Sequence, residues 1–451
     1  MPPSDRRTPA GGRASEQALD WSGRTLHFVG IGGAGMSGLA LVARALGASV
    51  SGSDRAQSPY IERLRAAGIR PLPGHSPDNV PPGAEVVFST AIPPENPELA
   101  RGVARLHRSE LLGQIMALRH SIAVTGTHGK TTTAAMMVHV MCRLGMDPPY
   151  LLGGELRLTG SNAAWGSGEW IVVEADESDR SLLALQPDIA VLTNAELDHH
   201  ATYASRIELE RTLSEFMAHA RQHAIVWDRP QLRALCAGEA VTYDADDVRL
   251  TPDGARFRWR GHQVRLAVLG THNAVNAAGA LTACVLAGAD AAAAVDAIAD
   301  FSGARRRLER LGLSACGAAL YDDYAHHPTE VAAAISAARS LAPRRLVAVF
   351  QPHLYSRTRA LAREFGTALA LADACVLLDV YPARERAEDF PGVDGRLVAA
   401  AAADAGVPTA WLPDFTDAQR YLESILRDGD LCLMMGAGDV DALGRSLAVD
   451  A

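Results

Sequence analysis

Short apolar runs, each followed by a loop of small or polar residues and then by an Ala- and Leu-rich stretch of helical spacing, recur along the chain at least three times. That succession is the βα unit of a parallel sheet, so the pattern predicts an α/β fold. In the first part, Leu26 to Val29 leads into Gly30-Ile31-Gly32-Gly33-Ala34-Gly35 and a helix to about Leu46. A strand at Ser49 to Ser51 ends at Ser53-Asp54, and one at Val86 to Phe88 ends at Ser89-Thr90-Ala91. In the second part, Ser121 to Val124 runs into Thr125-Gly126-Thr127-His128-Gly129-Lys130-Thr131-Thr132-Thr133 and a helix to about Leu144. Strands at Trp170 to Val173 and Ile189 to Leu192 end in acidic loops, and an Ala-rich helix follows His272-Asn273-Ala274-Val275-Asn276. The third part places strands at Ala319 to Tyr321, Leu346 to Phe350, Cys375 to Leu378 and Leu431 to Met434. The breaks predict a loose tail over 1–22 and units over 23–118, 119–304 and 305–451.

Length agrees with several units, since 451 residues exceed what one core usually serves. The content, 48% hydrophobic and 21% charged, is that of an ordinary soluble protein. A net charge of −9 argues against a phosphate-tracking surface, so no nucleic-acid partner is expected. No apolar run reaches membrane-spanning length, and the polar first twenty residues do not read as a secretory signal. The six scattered cysteines suit reduced thiols, which predicts a cytoplasmic location.

The basic residues change the picture more. Of 43, all but Lys130 are Arg. Arg is a wide planar fork and Lys a compact point charge, so a site that threads one donor between phosphate oxygens rejects the exchange. Lys130 also sits where a strand opens through a glycine-rich loop into a helix, the place where backbone amides hold phosphate. This predicts an ATP loop, with Lys130 on the outer phosphates and the Thr131 hydroxyl on Mg²⁺. Its spacing departs from the general pattern, because only two residues separate Gly126 from Gly129.

Ligands of open α/β sheets collect at the carboxyl ends of the strands. The next two strand ends carry Glu174, Asp176, Glu177 and Asp179, then Glu196, Asp198, His199 and His200, of which Glu174, first after its strand, is the strongest metal-ligand candidate. Gly30-x-Gly32-x-x-Gly35 with Asp54 suits any diphosphate at a helix start: NAD, FAD or a UDP-linked compound. His272, Asn273 and Asn276 share one helix face, and the loops Asp322 to Pro328 and Gln351 to Arg357 both follow strands.

Taken together, His27 to Gly38, Gly126 to Thr132, Glu174 to Asp179, His272 to Asn276, Asp322 to Glu330, Gln351 to Thr358 and Gly436 to Asp439 resemble, in order, the signatures of the Mur ligases over about residues 24–445. The resemblance implies three domains: a Rossmann-like N-terminal domain for a UDP-sugar, a central P-loop ATPase domain with a mainly parallel sheet, and a Rossmann-like C-terminal domain for an amino acid. It implies ATP and Mg²⁺ as cofactors and, for the branch it favours, UDP-N-acetylmuramate and L-alanine as substrates, joined through an acyl phosphate. By family pattern Gly126, Thr127, His128, Gly129, Lys130, Thr131, Thr132, His272, Asn273, Asn276, Arg307 and Asp323 hold ATP, and Thr131, Glu174 and His199 surround the metal. Lys130, Glu174, His199 and Arg307 are the catalytic candidates. Gly30, Gly32, Gly33, Ala34, Gly35, Asp54, Ser89 and Thr90 fall to the UDP-sugar, and His326, His353 and Arg357 to the amino acid. Around His199 the chain departs from the family by reading His199-His200-Ala201. Several relatives that add later residues carry a carbamylated lysine, and a chain with one lysine has none to spare, which favours the alanine-adding branch. Three alternatives stand beside this reading: a ligase that recycles a ready-made tripeptide, an NAD-dependent oxidoreductase, and a non-catalytic nucleotide sensor.

Overall fold

In the computed structural model, residues 20–449 are described apart from 57, 103, 200, 201 and 384, so His200, Ala201 and most of the predicted tail lie outside the described residues. Among the described residues the chain forms three sheet-based units in sequence.

The first sheet consists of β1 (Thr25–Val29), β2 (Ser49–Asp54), β3 (Leu72–Pro73), β4 (Glu85–Phe88) and β5 (Ala104–His107), all parallel in the order β3-β2-β1-β4-β5. The helices α1 (Ala34–Ala45), α2 (Pro59–Ala66) and α3 (Arg108–Met116) belong to this unit. Gly30 makes the turn out of β1 with φ of 75°, a conformation that costs glycine little.

The second sheet contains β6 (His120–Thr125), β7 (Tyr150–Leu156), β8 (Ser161–Ala164), β9 (Trp170–Glu174), β10 (Ile189–Leu192), β11 (His223–Trp227) and β12 (Val241–Tyr243). Their order is β12-β11-β10-β6-β9-β7-β8, with only β8 antiparallel to its neighbour. The helices are α4 (Lys130–Arg143), α5 (Arg206–Ala218), α6 (Pro230–Arg233), α7 (Thr271–Leu286) and α8 (Ala291–Ile298). A separate antiparallel sheet of β13 (Asp246–Thr251), β14 (Gly254–Trp259) and β15 (His262–Leu266), absent from the sequence expectation, covers part of α7 with Phe257 and Trp259 buried.

The third sheet is ordered β20-β19-β18-β21-β17-β16-β22, from β16 (Glu309–Ser314), β17 (Ala319–Asp323), β18 (Arg345–Phe350), β19 (Ala374–Leu377), β20 (Thr409–Trp411), β21 (Asp430–Met435) and β22 (Ala448–Val449). Helices α9 (Pro328–Arg339) and α10 (Tyr355–Leu369) pack on one face, where Ile335, Phe350 and Phe365 are buried.

The units are joined in two different ways. One apolar cluster runs without a break from Leu26, Phe28 and Leu39 of the first unit through Leu151 and Ala163 to Ile171, Val173 and Phe216 of the second. Gly38 permits the approach, since a Cβ there would stand 3.2 Å from both Leu151 Cδ2 and Ala163 Cβ. The third unit has its own clusters on the two sides of its sheet. Its contacts with the second unit described below are polar.

Candidate active site

In the second sheet β6 lies between β10 and β9, so the loop leaving β6 faces the carboxyl ends of both neighbours. Gly126 and Gly129 take φ of 122° and 77°. A Cβ on Gly126 would come within 2.3 Å of Thr193 Oγ1, and one on Gly129 within 2.6 Å of Asn276 Oδ1. Glycine is thus demanded twice, by backbone conformation and by space. Asn194 Oδ1 accepts from the His128 amide at 2.9 Å, and the Thr193 hydroxyl donates to the His128 carbonyl at 2.6 Å, so the β10 end braces the loop. Thr127 Oγ1 donates to the Glu196 carbonyl at 2.7 Å, and Thr132 is buried in the first turn of α4. Gly129 is the N-cap of α4 and gives no side-chain cap, which leaves the first-turn amides directed at an anion site.

Lys130 Nζ donates to the Gly126 carbonyl at 2.7 Å and to Glu177 Oε1 at 3.0 Å. Burial works against the ammonium, but Glu177 and Asp176 outweigh it and hold the lysine pKa above its ordinary value. Glu174 is the last residue of β9 and not the first after it, because the strand runs one residue further than expected. Its carboxylate accepts from the Thr131 hydroxyl at 3.0 Å and from the Gly153 amide at 2.6 Å, while burial pushes its pKa up. His199 has φ of 54°, a strained value for a side chain of this size; its Nε2 meets Glu177 Oε1 at 3.1 Å and its Nδ1 is buried without a partner. The structure therefore pairs Thr131 with Glu174 directly, and joins His199 to Lys130 through Glu177.

The start of α7 closes the loop from the other side. Asn276 lies against Gly129 and donates to Asn273 Oδ1 at 3.3 Å, while Asn273 Nδ2 donates to the Leu269 carbonyl at 2.7 Å. His272 packs beside Gly270 at the helix entrance.

Across the boundary, the third unit adds Glu330. Its Oε1 lies 3.4 Å from His128 Nδ1 and 3.9 Å from an Arg307 nitrogen, and its Oε2 is 3.4 Å from His326 Nδ1. Burial opposes a charge on His128, yet Glu330 on one ring nitrogen and Glu196, 3.3 Å from the other, raise its pKa to about 9. Thr329 Oγ1 donates to Glu196 Oε2, so the β10 loop also touches the start of α9. Arg307 stands over the Tyr324 ring at 5.4 Å. Asp323, expected at ATP, accepts from the Leu308 and Ala325 amides, both at 2.8 Å, and burial raises its pKa to about 7. Arg306 donates to the Gly436 and Gly438 carbonyls, each at 2.8 Å, which gives the late glycine motif a structural partner.

The residues expected at the amino acid do gather. The His326 and His353 rings are 5.9 Å apart, and Arg357 Nη1 lies 3.1 Å from His353 Nδ1. The rest of the Arg357 fork holds Asp198, so those two donors are occupied by a side chain of the second unit.

In the first unit, α1 starts after Gly33 with no side-chain cap. Asp54 accepts from the Gly32 amide at 2.7 Å and from the Ala56 amide at 3.0 Å, so it shapes the glycine turn from within. The loop after β4 approaches as well: a Cβ on Gly30 would stand 3.1 Å from Ile92 Cδ1, and Ser89 accepts the Ile92 amide. Thr90 Oγ1 donates to Asp179 Oδ2 at 2.8 Å. Sequence reasoning passed over Arg108, whose Nη2 donates to Asp176 at 2.8 Å and Asp179 at 3.1 Å. Its only signal was its place directly after β5, at the same sheet edge as the other loops.

Three family profiles match in succession: Mur ligase family, catalytic domain over 25–120; Mur ligase middle domain over 124–284; and Mur ligase, glutamate ligase domain over 306–438. A UDP-N-acetylmuramate–L-alanine ligase of Streptomyces avermitilis is 42% identical over 93% of this chain and 95% of its own length. One from Kineococcus radiotolerans is 45% identical over 93% and 94%. Among solved structures, the UDP-N-acetylmuramate-alanine ligase of Thermotoga maritima aligns with a TM-score of 0.80 at 26% identity, covering 94% of this chain and 98% of that one. A murein peptide ligase of Psychrobacter arcticus aligns at 0.71 with 23% identity over 94% and 98%, a likeness of fold. With all three units matched in order and two relatives above 40% identity over nearly the whole length, this chain belongs to the Mur ligase family of ATP-dependent ligases.

Proposed function

We propose that this protein joins L-alanine to the lactyl carboxylate of UDP-N-acetylmuramate at the expense of ATP, in the cytoplasm, as a step of peptidoglycan precursor synthesis. The observation that carries the reading is the convergence of three neighbouring strand ends, those of β6, β9 and β10, on one lysine-bearing loop. Lys130 lies between the Glu174 strand end and the β10 loop, α7 covers it, and Arg108 ties its acidic neighbours to the UDP-sugar unit. Relatives at 41–45% identity that carry the alanine-adding name support this substrate pair over the tripeptide and over a nicotinamide.

The carboxylate oxygen of the sugar attacks the γ-phosphorus and ADP leaves, forming an acyl phosphate. The amine of alanine, having lost a proton, then attacks the acyl carbon; the C–O bond breaks, phosphate departs and an amide remains. The first step depends on positioning and charge neutralisation more than on covalent help. Lys130, the amides of Gly126 to Thr132 and the α4 start supply these to the phosphates. We assign the nucleotide also to His272, Asn273, Asn276, Arg307 and Asp323. The Gly30–Gly35 turn, Asp54, Ser89 and Thr90 go to the UDP-sugar, and His326, His353 and Arg357 to alanine.

Thr131, Glu174 and His199 are the groups to hold Mg²⁺. A hydroxyl, a half-buried carboxylate whose charge is disfavoured by its surroundings, and an imidazole with an unpartnered buried nitrogen fit a hard divalent cation that keeps part of its water. When bound, the cation neutralises charge on the phosphates.

The test is phosphate release from ATP with UDP-N-acetylmuramate, comparing L-alanine, glycine, L-serine and the tripeptide. Turnover is expected with L-alanine; strong turnover with the tripeptide and none with L-alanine overturns the assignment.

A further inference from the structure

Arg108 is the first residue of α3, where the first sheet ends against the second unit. Its hydrogen bonds all leave through one nitrogen, Nη2, to Asp176, Asp179 and, at 3.4 Å, Ser181. Asp176 follows β9 and lies close enough to Lys130 to raise its pKa, and Asp179 also receives the Thr90 hydroxyl from the loop after β4. The other two guanidinium nitrogens are unspent: Nε is buried without a hydrogen-bond partner. Nη1 faces the glycine turn, where a Cβ on Gly35 would stand 3.5 Å from it. That turn opens the twelve-residue α1 with no side-chain cap. An arginine fixed by carboxylates through Nη2, with Nη1 left to face uncapped helix amides, is matched to a phosphate oxygen, since the permanent charge and rigid plane present a second amino group in a set direction.

We propose that Arg108 binds the diphosphate of the UDP-sugar through Nη1 while Nη2 keeps hold of Asp176 and Asp179, so that one side chain couples the sugar-nucleotide turn to the lysine-bearing loop. The inference rests on the UDP-sugar assignment above. A residue that serves both loops makes the two ligands interdependent, and such coupling is reciprocal in affinity. The UDP-sugar therefore tightens ADP binding, and ADP tightens UDP-sugar binding by the same factor.

The experiment is calorimetric titration of the full chain with UDP-N-acetylmuramate and, separately, with MgADP, each with and without the other, for the wild type, Arg108→Gln and Arg108→Lys. Loss of a charge-assisted hydrogen bond together with the charge itself predicts UDP-sugar binding weaker by about ten- to hundredfold in Arg108→Gln. MgADP alone should bind within about threefold of wild type, with the mutual tightening gone. Arg108→Lys keeps the charge that the two aspartates need, so it guards against a Gln variant that does not fold. It too should lose UDP-sugar affinity, because one ammonium cannot hold the aspartates and reach the diphosphate at once. Unchanged UDP-sugar affinity in a folded variant, or equal losses for UDP-sugar and MgADP alone, overturns the proposal. A wild type that binds no UDP-N-acetylmuramate would instead overturn the substrate assignment itself.

Discussion

Arg357 of the third unit grips Asp198 of the second with two parallel hydrogen bonds, Nε to Oδ1 at 2.8 Å and Nη2 to Oδ2 at 2.9 Å, and each side chain is 3% exposed. Burial disfavours the Asp198 charge, but Arg357 and His199 overcome it and hold the carboxyl well below its usual range. Removing one member of a buried pair leaves the other charge stranded, at a cost of roughly 3–5 kcal/mol. Asp198→Asn should therefore lower the melting temperature of the second and third units together and release Arg357 from its fixed pose beside His353. Differential scanning calorimetry, with KM for L-alanine measured in parallel, checks this; an unchanged melt would mean the pair contributes nothing net.

Lys130→Arg should reduce ligation at least about a thousandfold, because the fork is too wide for the space between the Gly126 carbonyl and Glu177 and cannot act as a point donor to phosphate. UDP-sugar binding, measured by calorimetry, should persist. Near-normal phosphate release by this variant would contradict the phosphate role.

Gly129→Ala meets both a φ of 77° and a 2.6 Å contact with Asn276 Oδ1. Backbone strain of this kind costs about 1–3 kcal/mol, and relief requires moving either the loop or α7. We expect a lower melting temperature and ATP affinity reduced by at least about tenfold. Gly145→Ala, with φ of 73° but nothing within 4 Å, is the control that carries strain without the collision.

The His128 pKa, raised to about 9 in the folded chain from an ordinary 6.5, makes part of the stability dependent on pH. A raised histidine binds more protons folded than unfolded. Its contribution is thus complete below about pH 6.5 and fades as the pH rises through about 9. Glu196, Glu330, His327 and Arg307 face this ring or its partners across the boundary. The stability gap between wild type and His128→Gln, from denaturant melts, should be widest near pH 6 and narrow towards pH 10; a constant gap would show that folding does not shift the His128 pKa.

Ligation should stop in excess chelator and return with Mg²⁺. Glu174→Gln should raise the Mg²⁺ concentration for half-maximal rate about tenfold or more, since it removes the one carboxylate of the expected set. An unshifted Mg²⁺ dependence would move the cation site elsewhere.

The strand–loop–helix units were legible because each is local: Ile189–Leu192 came out with its full bounds, and the Gly126 loop with a helix after it, although α4 starts at Lys130, inside the stretch read as loop. Some local signals were there and went unread. Ala255, Phe257 and Trp259 alternate with Arg256 and Arg258, the period-two pattern of the half-buried strand they form. What no local pattern held was pairing at long range. Asp198 and Arg357 are 159 positions apart, and Arg108 and Asp176 are 68. A lone arginine or aspartate in a polar loop looks the same whether it meets water or a buried partner. The continuous core between the first two units was likewise invisible, since Leu39 and Leu151 each read only as one apolar position in its own element.

Lys130 has one more property, which belongs to labelling chemistry. Because it is the chain's single lysine, an acylating reagent has one ε-amine to find, on a side chain that is 17% exposed and paired with Glu177. Mass spectrometry of the tryptic peptide bearing Lys130 then reads the phosphate loop without interference from other side-chain amines. Uptake of label at that position becomes a direct gauge of how often the Glu177 pair opens, and of how far nucleotide shields the nitrogen.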